Sequence, residues 1–210
     1  TIMTNFKILR ALEAAGYRVA IVPQPDWHGD YRDFTKLGKP RLFFAVSSGS
    51  MDSMVNHYTA ARRRRSDDAY TPEGRAGARP DYCTITYCCI LKQHFPDVPI
   101  VIGGIEASMR RLAHYDYWSD SFKRSILLDS GADIISYGMG ERSIVEIADA
   151  LNSGLDVSDI TFIRGTVYKT KDIDSIYKPV LLPDYDSMKK EPSLYAQSFG
   201  IQYRNTDAIK

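Results

Sequence analysis

VPIVIGGIEASMRRLAHYDYWSD, Val98 to Asp120, begins as a short apolar run and breaks at a glycine pair into a dense polar and aromatic segment. An apolar run bounded by a turn signal predicts a buried strand over residues 98–102. The polar cluster then stands at the carboxyl end of that strand. In open parallel α/β sheets ligands collect outside the carboxyl ends of the strands, where loops rather than packed helices face solvent. Gly103, Gly104, Glu106, Arg110, Arg111, His114, Asp116 and Trp118 are therefore candidate ligand contacts. The alternative is a structural loop in which Tyr115, Tyr117 and Trp118 pack as a lid and the charges pair among themselves.

The pattern on either side extends the sheet. Phe6, Leu9, Leu12 and Ala15 recur at helical spacing and end at Gly16, a residue suited to a left-handed helix cap. Residues 17–22 and 41–46 read as strands, 51–58 and 81–95 as helices. Downstream, residues 119–130 read as a helix, 133–136 as a strand, and 141–151 as a helix that opens after Gly138-Met139-Gly140. This alternation predicts an α/β fold, a Rossmann-like doubly wound and mostly parallel sheet. A helix running directly into a strand at the start implies a partner strand upstream, so the first strand of the sheet is expected to be missing. From residue 155 onward the texture changes, with 161–170 extended or a hairpin and 189–205 a helix. The expected division is a domain over 1–154 and, over 155–210, an α+β or extended tail too poor in apolar mass for its own core.

With 210 residues, 44% hydrophobic and 25% charged, the chain can bury one sizeable α/β core plus an appendage. A formal net charge of +1 marks neither a nucleic-acid scaffold nor an acidic surface. Cys83, Cys88 and Cys89 cannot all pair with one another, and no secretory signal or long apolar span is visible, so a reduced, cytoplasmic protein without a membrane partner is expected. Their CxxxxCC order fits no common zinc pattern. With Ile85 and Phe95 nearby on a helix, core packing is the expected role.

Other residues carry open alternatives. Ser47 and Ser48, with Ser50, Asp52, Ser53 and Asn56, sit at a strand-to-helix turn that could cradle a phosphate or ribose, although the ending of a Walker loop is absent. Glu106, Arg110 and Arg111 suit either an ion-pair network or an anionic ligand. His114 and Asp116 are compatible with a hydrogen-bonded pair that fixes a loop or serves as acid and base. Glu141, after Gly140, either complements the positive end of a helix or reaches into the crevice. Arg62, Arg63, Arg64 and Arg65, with Arg75 and Arg79, form either a solvated face or a nucleic-acid grip with Tyr58, Tyr70 and Tyr82 for stacking. Asp67, Asp68 and Glu73 dilute that charge, and no RRM or KH signature accompanies it. No nucleophile elbow is present.

The strings QPDWHGDYRDFTKLGKPRLFFAVSSGSMDSMVNHYTA (24–60), RRRRSDDAYTPEGRAGARPDY (62–82), GGIEASMRRLAHYDYWSD (103–120), YGMGERSIVEIADAL (137–151) and LYAQSFGIQYRNTDA (194–208) closely resemble the amino-terminal part of the YgiQ-type radical SAM proteins. The resemblance implies a parent in which a domain similar to cobalamin-binding domains precedes a radical SAM barrel. In such barrels a CxxxCxxC loop holds a [4Fe–4S] cluster that cleaves S-adenosylmethionine to a deoxyadenosyl radical. This chain has no such loop, so the resemblance implies a non-catalytic accessory domain that shapes the substrate or cofactor side of the active site. Its implied partners are the barrel of the same parent and an unidentified substrate. Cobalamin is a further implied ligand, because base-off cobalamin domains use a DxHxxG loop that Asp26, Trp27 and His28 match in part. That segment lacks the final glycine and follows a later strand. The glycine turns at Gly103-Gly104 and Gly138 to Gly140 offer a histidine-free route.

Overall fold

A computed structural model describes residues 2–205, with side chains from Lys7 to Asn205. In chain order it forms α1 (Ile2–Ala14), α2 (Arg32–Thr35), β1 (Phe44–Val46), α3 (Ser53–His57), α4 (Cys83–His94), β2 (Ile100–Gly103) and α5 (Gly104–Met109). There follow β3 (His114–Asp116), β4 (Ser121–Lys123), α6 (Ile126–Asp129), β5 (Ile134–Ser136), α7 (Glu141–Asn152), β6 (Thr166–Tyr168), α8 (Tyr185–Lys190) and α9 (Ser193–Asn205). The chain divides into two compact units, Thr1–Arg111 with Ile126–Lys169, and Leu112–Ser125 with Thr170–Lys210.

The first unit is built on a sheet in the order β1-β2-β5-β6. β2 runs parallel to β1, with Phe44 opposite Ile100, and parallel to β5, with Val101 opposite Ile134. β6 joins β5 antiparallel at the edge. Strand alternation assigns the faces. Ile100, Ile102 and Ile135 turn toward Cys83, Tyr87, Cys88 and Leu91 of α4, with Phe34 and Ile126. Val101 and Ile134 turn the other way, toward Leu12 of α1 and Ile144 and Ile147 of α7. With both faces covered, the parallel strands read as continuous apolar runs. The mostly parallel, doubly covered α/β sheet is the architecture that the alternation predicts.

Three local expectations are corrected. Residues 17–22 form no strand; Tyr17 and Val19 instead pack against the apolar layer between the sheet and α1 and α7, while Ile21 is exposed. Residues 119–130 are not one helix. Ser121 to Lys123 pair antiparallel with His114 to Asp116, and only Ile126 to Asp129 coil. The helix expected over 189–205 is α9, preceded by the separate α8, which Asp184 caps by accepting from the N–H of Ser187.

In the second unit Tyr115 meets Phe122 edge-on across the β3–β4 hairpin. Phe122 lies 5.1 Å from the Tyr195 ring, and the Tyr185 hydroxyl donates to the Phe122 carbonyl. Residues 170–205 therefore pack on a hairpin supplied from the middle of the chain. No helix among the described residues is long and apolar enough to cross a membrane.

Cys83 and Cys88 are fully buried on α4, whereas Cys89 is exposed. Burial pushes the Cys83 thiol up to about 12 and moves the Cys88 thiol upward as well. Since the thiolate is the nucleophile, Ellman's reagent at pH 8 is expected to titrate Cys89 alone in the native protein. Cys83 and Cys88 should react only after denaturant is added; prompt reaction of all three would contradict the burial.

Candidate functional site

The carboxyl ends of β1, β2 and β5 open onto the loop 47–52, the Gly103-Gly104 turn and the loop 137–140. Close approach of these loops explains the glycine at 104. Its φ is +81, and a Cβ there would stand 3.2 Å from the Ser47 hydroxyl oxygen. The loop after β5 is tied to α5 by the Gly138 N–H, which donates to the Ser108 hydroxyl at 3.2 Å. Arg111 lies over the Tyr137 ring, 4.9 Å from its centroid.

Beneath this edge lies a buried charged cluster. Glu106 is 1% exposed, and its two oxygens accept from the N–H groups of Ser53 and Thr84, both at 2.9 Å. Ser53 and Thr84 stand in the first turns of α3 and α4, whose leading N–H groups have no partner within their own helices. One carboxylate thus caps two helices, with the favourable charge for their positive ends. The Ser53 hydroxyl accepts from the Cys83 N–H at 3.1 Å, joining the helix starts directly. Asp52 caps α3 by accepting from the N–H groups of Met54 and Val55. It also pairs with the buried Arg110 guanidinium.

Glu106 is engaged with the backbone of two helix starts, and Asp52 with the start of α3 and with Arg110. Ser48 donates to the Met51 carbonyl, and Ser47 accepts from the Gly49 N–H, so both hydroxyls shape their own loop. Glu141 opens α7 beside Gly140 and is half-buried. A Cβ on Gly140 would stand 2.5 Å from the Ser136 hydroxyl oxygen, which is engaged with Ser143.

The remaining candidates lie elsewhere. Asp26 and His28 are an exposed local pair, Oδ1 to Nδ1 3.2 Å. Trp27 packs against the α4-side core. Asp26 is tied to Asp33 of α2, and neighbouring Tyr31 rests against His94, at the end of α4 that leads into the amino end of β2. That end is the edge opposite the crevice. In the second unit His114 Nδ1 donates to the Leu112 carbonyl, and Asp116 accepts from the Ser119 N–H and hydroxyl. Trp118 meets the Tyr117 ring at 5.3 Å.

A histidine–aspartate pair does form where spacing gave no signal. His57 Nδ1 lies 2.7 Å from Asp81 Oδ1, and Tyr58 donates to the other Asp81 oxygen at 2.6 Å. That carboxylate pushes the Tyr58 phenol up. His57 and Asp81 are 24 positions apart, joined only by closure of the loop between them.

The cysteines do not fit an iron–sulfur loop, since Cys83 and Cys88 are sealed in the core while Cys89 faces out. Among the described residues no three His, Cys, Asp or Glu side chains converge on a position that could hold a metal ion.

Replacing Glu106 by Ala is expected to lower unfolding free energy in urea by about 3 kcal/mol, the scale of two charge-assisted hydrogen bonds lost with their donors left buried. Glu106→Gln should cost nearly as much, because an amide nitrogen would face an N–H donor. A Gln variant as stable as the parent would contradict the double cap.

Residues 3–210 match the family model described as Radical SAM N-terminal. A UPF0313 protein of Clostridium perfringens is 50% identical over 204 residues, 97% of this chain and 31% of the relative. A UPF0313 protein of Clostridium botulinum is 48% identical over 201 residues, 96% of this chain and again 31% of the relative. No solved structure matches the chain. It spans less than a third of the length of these relatives and matches the family model across nearly its whole extent: the chain belongs to the radical SAM N-terminal family.

Proposed function

We propose that this chain is the accessory amino-terminal domain of a radical SAM protein, and that its carboxyl-edge crevice faces the remaining part of the same polypeptide as a wall of the active site. The supporting observation is the apolar character of that edge. Val55 follows β1, Ile105 and Met109 follow β2, and Met139 follows β5, with exposures of 45%, 43%, 58% and 89%. Single exposed apolar side chains need no explanation. Their recurrence on the segments that follow three adjacent strands, α3, α5 and the loop before α7, is the mark of a surface made to be covered. Beneath them Glu106 accepts from the starts of two helices and Asp52 pairs with Arg110. The occupant is the rest of the parent, since the matched region makes up only 31% of the relatives' length.

On this reading the [4Fe–4S] cluster and S-adenosylmethionine belong to the remaining part, which carries the chemistry. The chain's own residues hold a rigid edge against it and exclude water there. Free thiols suit a reducing cytoplasm.

The test uses the full-length protein, reconstituted anaerobically with iron and sulfide and assayed for deoxyadenosine release. Met109→Glu with Met139→Glu is expected to cut release at least tenfold while iron content stays at the parental level. Failure to bind iron or to cleave S-adenosylmethionine sinks the radical SAM reading. Full activity in the double variant sinks the wall.

A further inference from the structure

The four consecutive arginines stand on an ordered hairpin. The Thr59 N–H donates to the Arg63 carbonyl, the Arg65 N–H to the His57 carbonyl, and Tyr58 pairs with Arg64 across an antiparallel bridge. Ala60, Ala61 and Arg62 make the three-residue connection, with Arg62 at φ +58. Such loops end in a left-handed residue, ordinarily glycine or asparagine. Here an arginine holds the position. The hairpin base is fastened by Tyr58 and the buried His57 to Asp81.

Two of the three acids of the surrounding loop are engaged elsewhere, and the third, Asp67, is exposed. Glu73 pairs with Arg75 at 2.6 Å. Asp68 is buried with Arg79, whose guanidinium also donates to the Ser48 carbonyl and so pins the loop to the sheet. Burial opposes the charge of Asp68, yet the Tyr70 N–H, Asn56 and Arg79 hold its carboxyl below the usual range. Arg62 to Arg65 are all exposed, and among the described residues Arg63 and Arg65 enter no ion pair. Four adjacent cations repel one another and contribute nothing to the core.

We propose that this hairpin binds single-stranded nucleic acid through its phosphates. Guanidinium forks match phosphate oxygens in bidentate geometry. Tyr70 in the same loop is 47% exposed, with the Arg79 guanidinium 5.9 Å from its ring, and offers a base a stacking face. A bilayer fits less well, because residues 59–66 carry no large apolar side chain to enter it.

The experiment measures fluorescence anisotropy of labelled 20-nucleotide RNA and DNA of one unstructured sequence with the full-length protein across a sodium chloride series. With four phosphates engaged, the slope of log affinity against log salt is expected to be about −3. Changing Arg62, Arg63, Arg64 and Arg65 to Gln should weaken binding at least tenfold and flatten the slope, while the same four changed to Lys keep it. Tyr70→Ala should weaken binding about tenfold with the slope unchanged. Preference between the two oligonucleotides identifies the source of the phosphates. Parental affinity in the Gln variant overturns the proposal, as does unchanged binding by Tyr70→Ala, or capture of phosphatidylserine vesicles without capture of either oligonucleotide. The readout is binding alone, independent of whether the protein cleaves S-adenosylmethionine.

Discussion

Two helices begin side by side beneath the crevice, and a helix start buried without a partner for its N–H groups is costly. The Glu106 carboxylate resolves both at once, with one oxygen for α3 and one for α4. Because Glu106 rides on α5, directly after β2, the cap also fixes the loops after β1 and β2 against each other. Asp52, which caps α3, pairs with the buried Arg110 and adds a second charged contact under the crevice.

These contacts divide the labour in the first unit. Charged residues that a strand-end position suggests for ligand contact hold the scaffold, and the apolar side chains above them meet solvent. A second buried pair, Asp68 with Arg79, does comparable work for the long loop between α3 and α4 and keeps that loop ordered enough to carry a hairpin of exposed arginines.

Much of the fold was legible because local pattern encodes it. The apolar run Val98 to Ile102, ended by the glycine pair, gave the central strand, and the spacing of Ile144, Ile147 and Ala148 gave α7. Where packing competes with pattern the reading slipped. Tyr17 and Val19 have the alternation of a strand yet bury their side chains without joining a ladder. Ser121 to Lys123 sit in a stretch of helical spacing but pair with His114 to Asp116. The cysteines were legible as core residues, although it is Cys83 and Cys88 rather than Cys89 that are buried.

By itself the sequence determined the class of the sheet, the edge where its loops gather, the absence of a CxxxCxxC loop and the resemblance to radical SAM proteins. Periodicity and motif spacing are properties of neighbouring residues, and these conclusions need nothing more. Only the tertiary structure decided what the polar residues meet. Glu106 finds donors 53 and 22 positions away, and His57 finds Asp81 across 24 positions. A buried charge takes whichever partner chain closure brings within hydrogen-bond reach, and no local spacing records that choice.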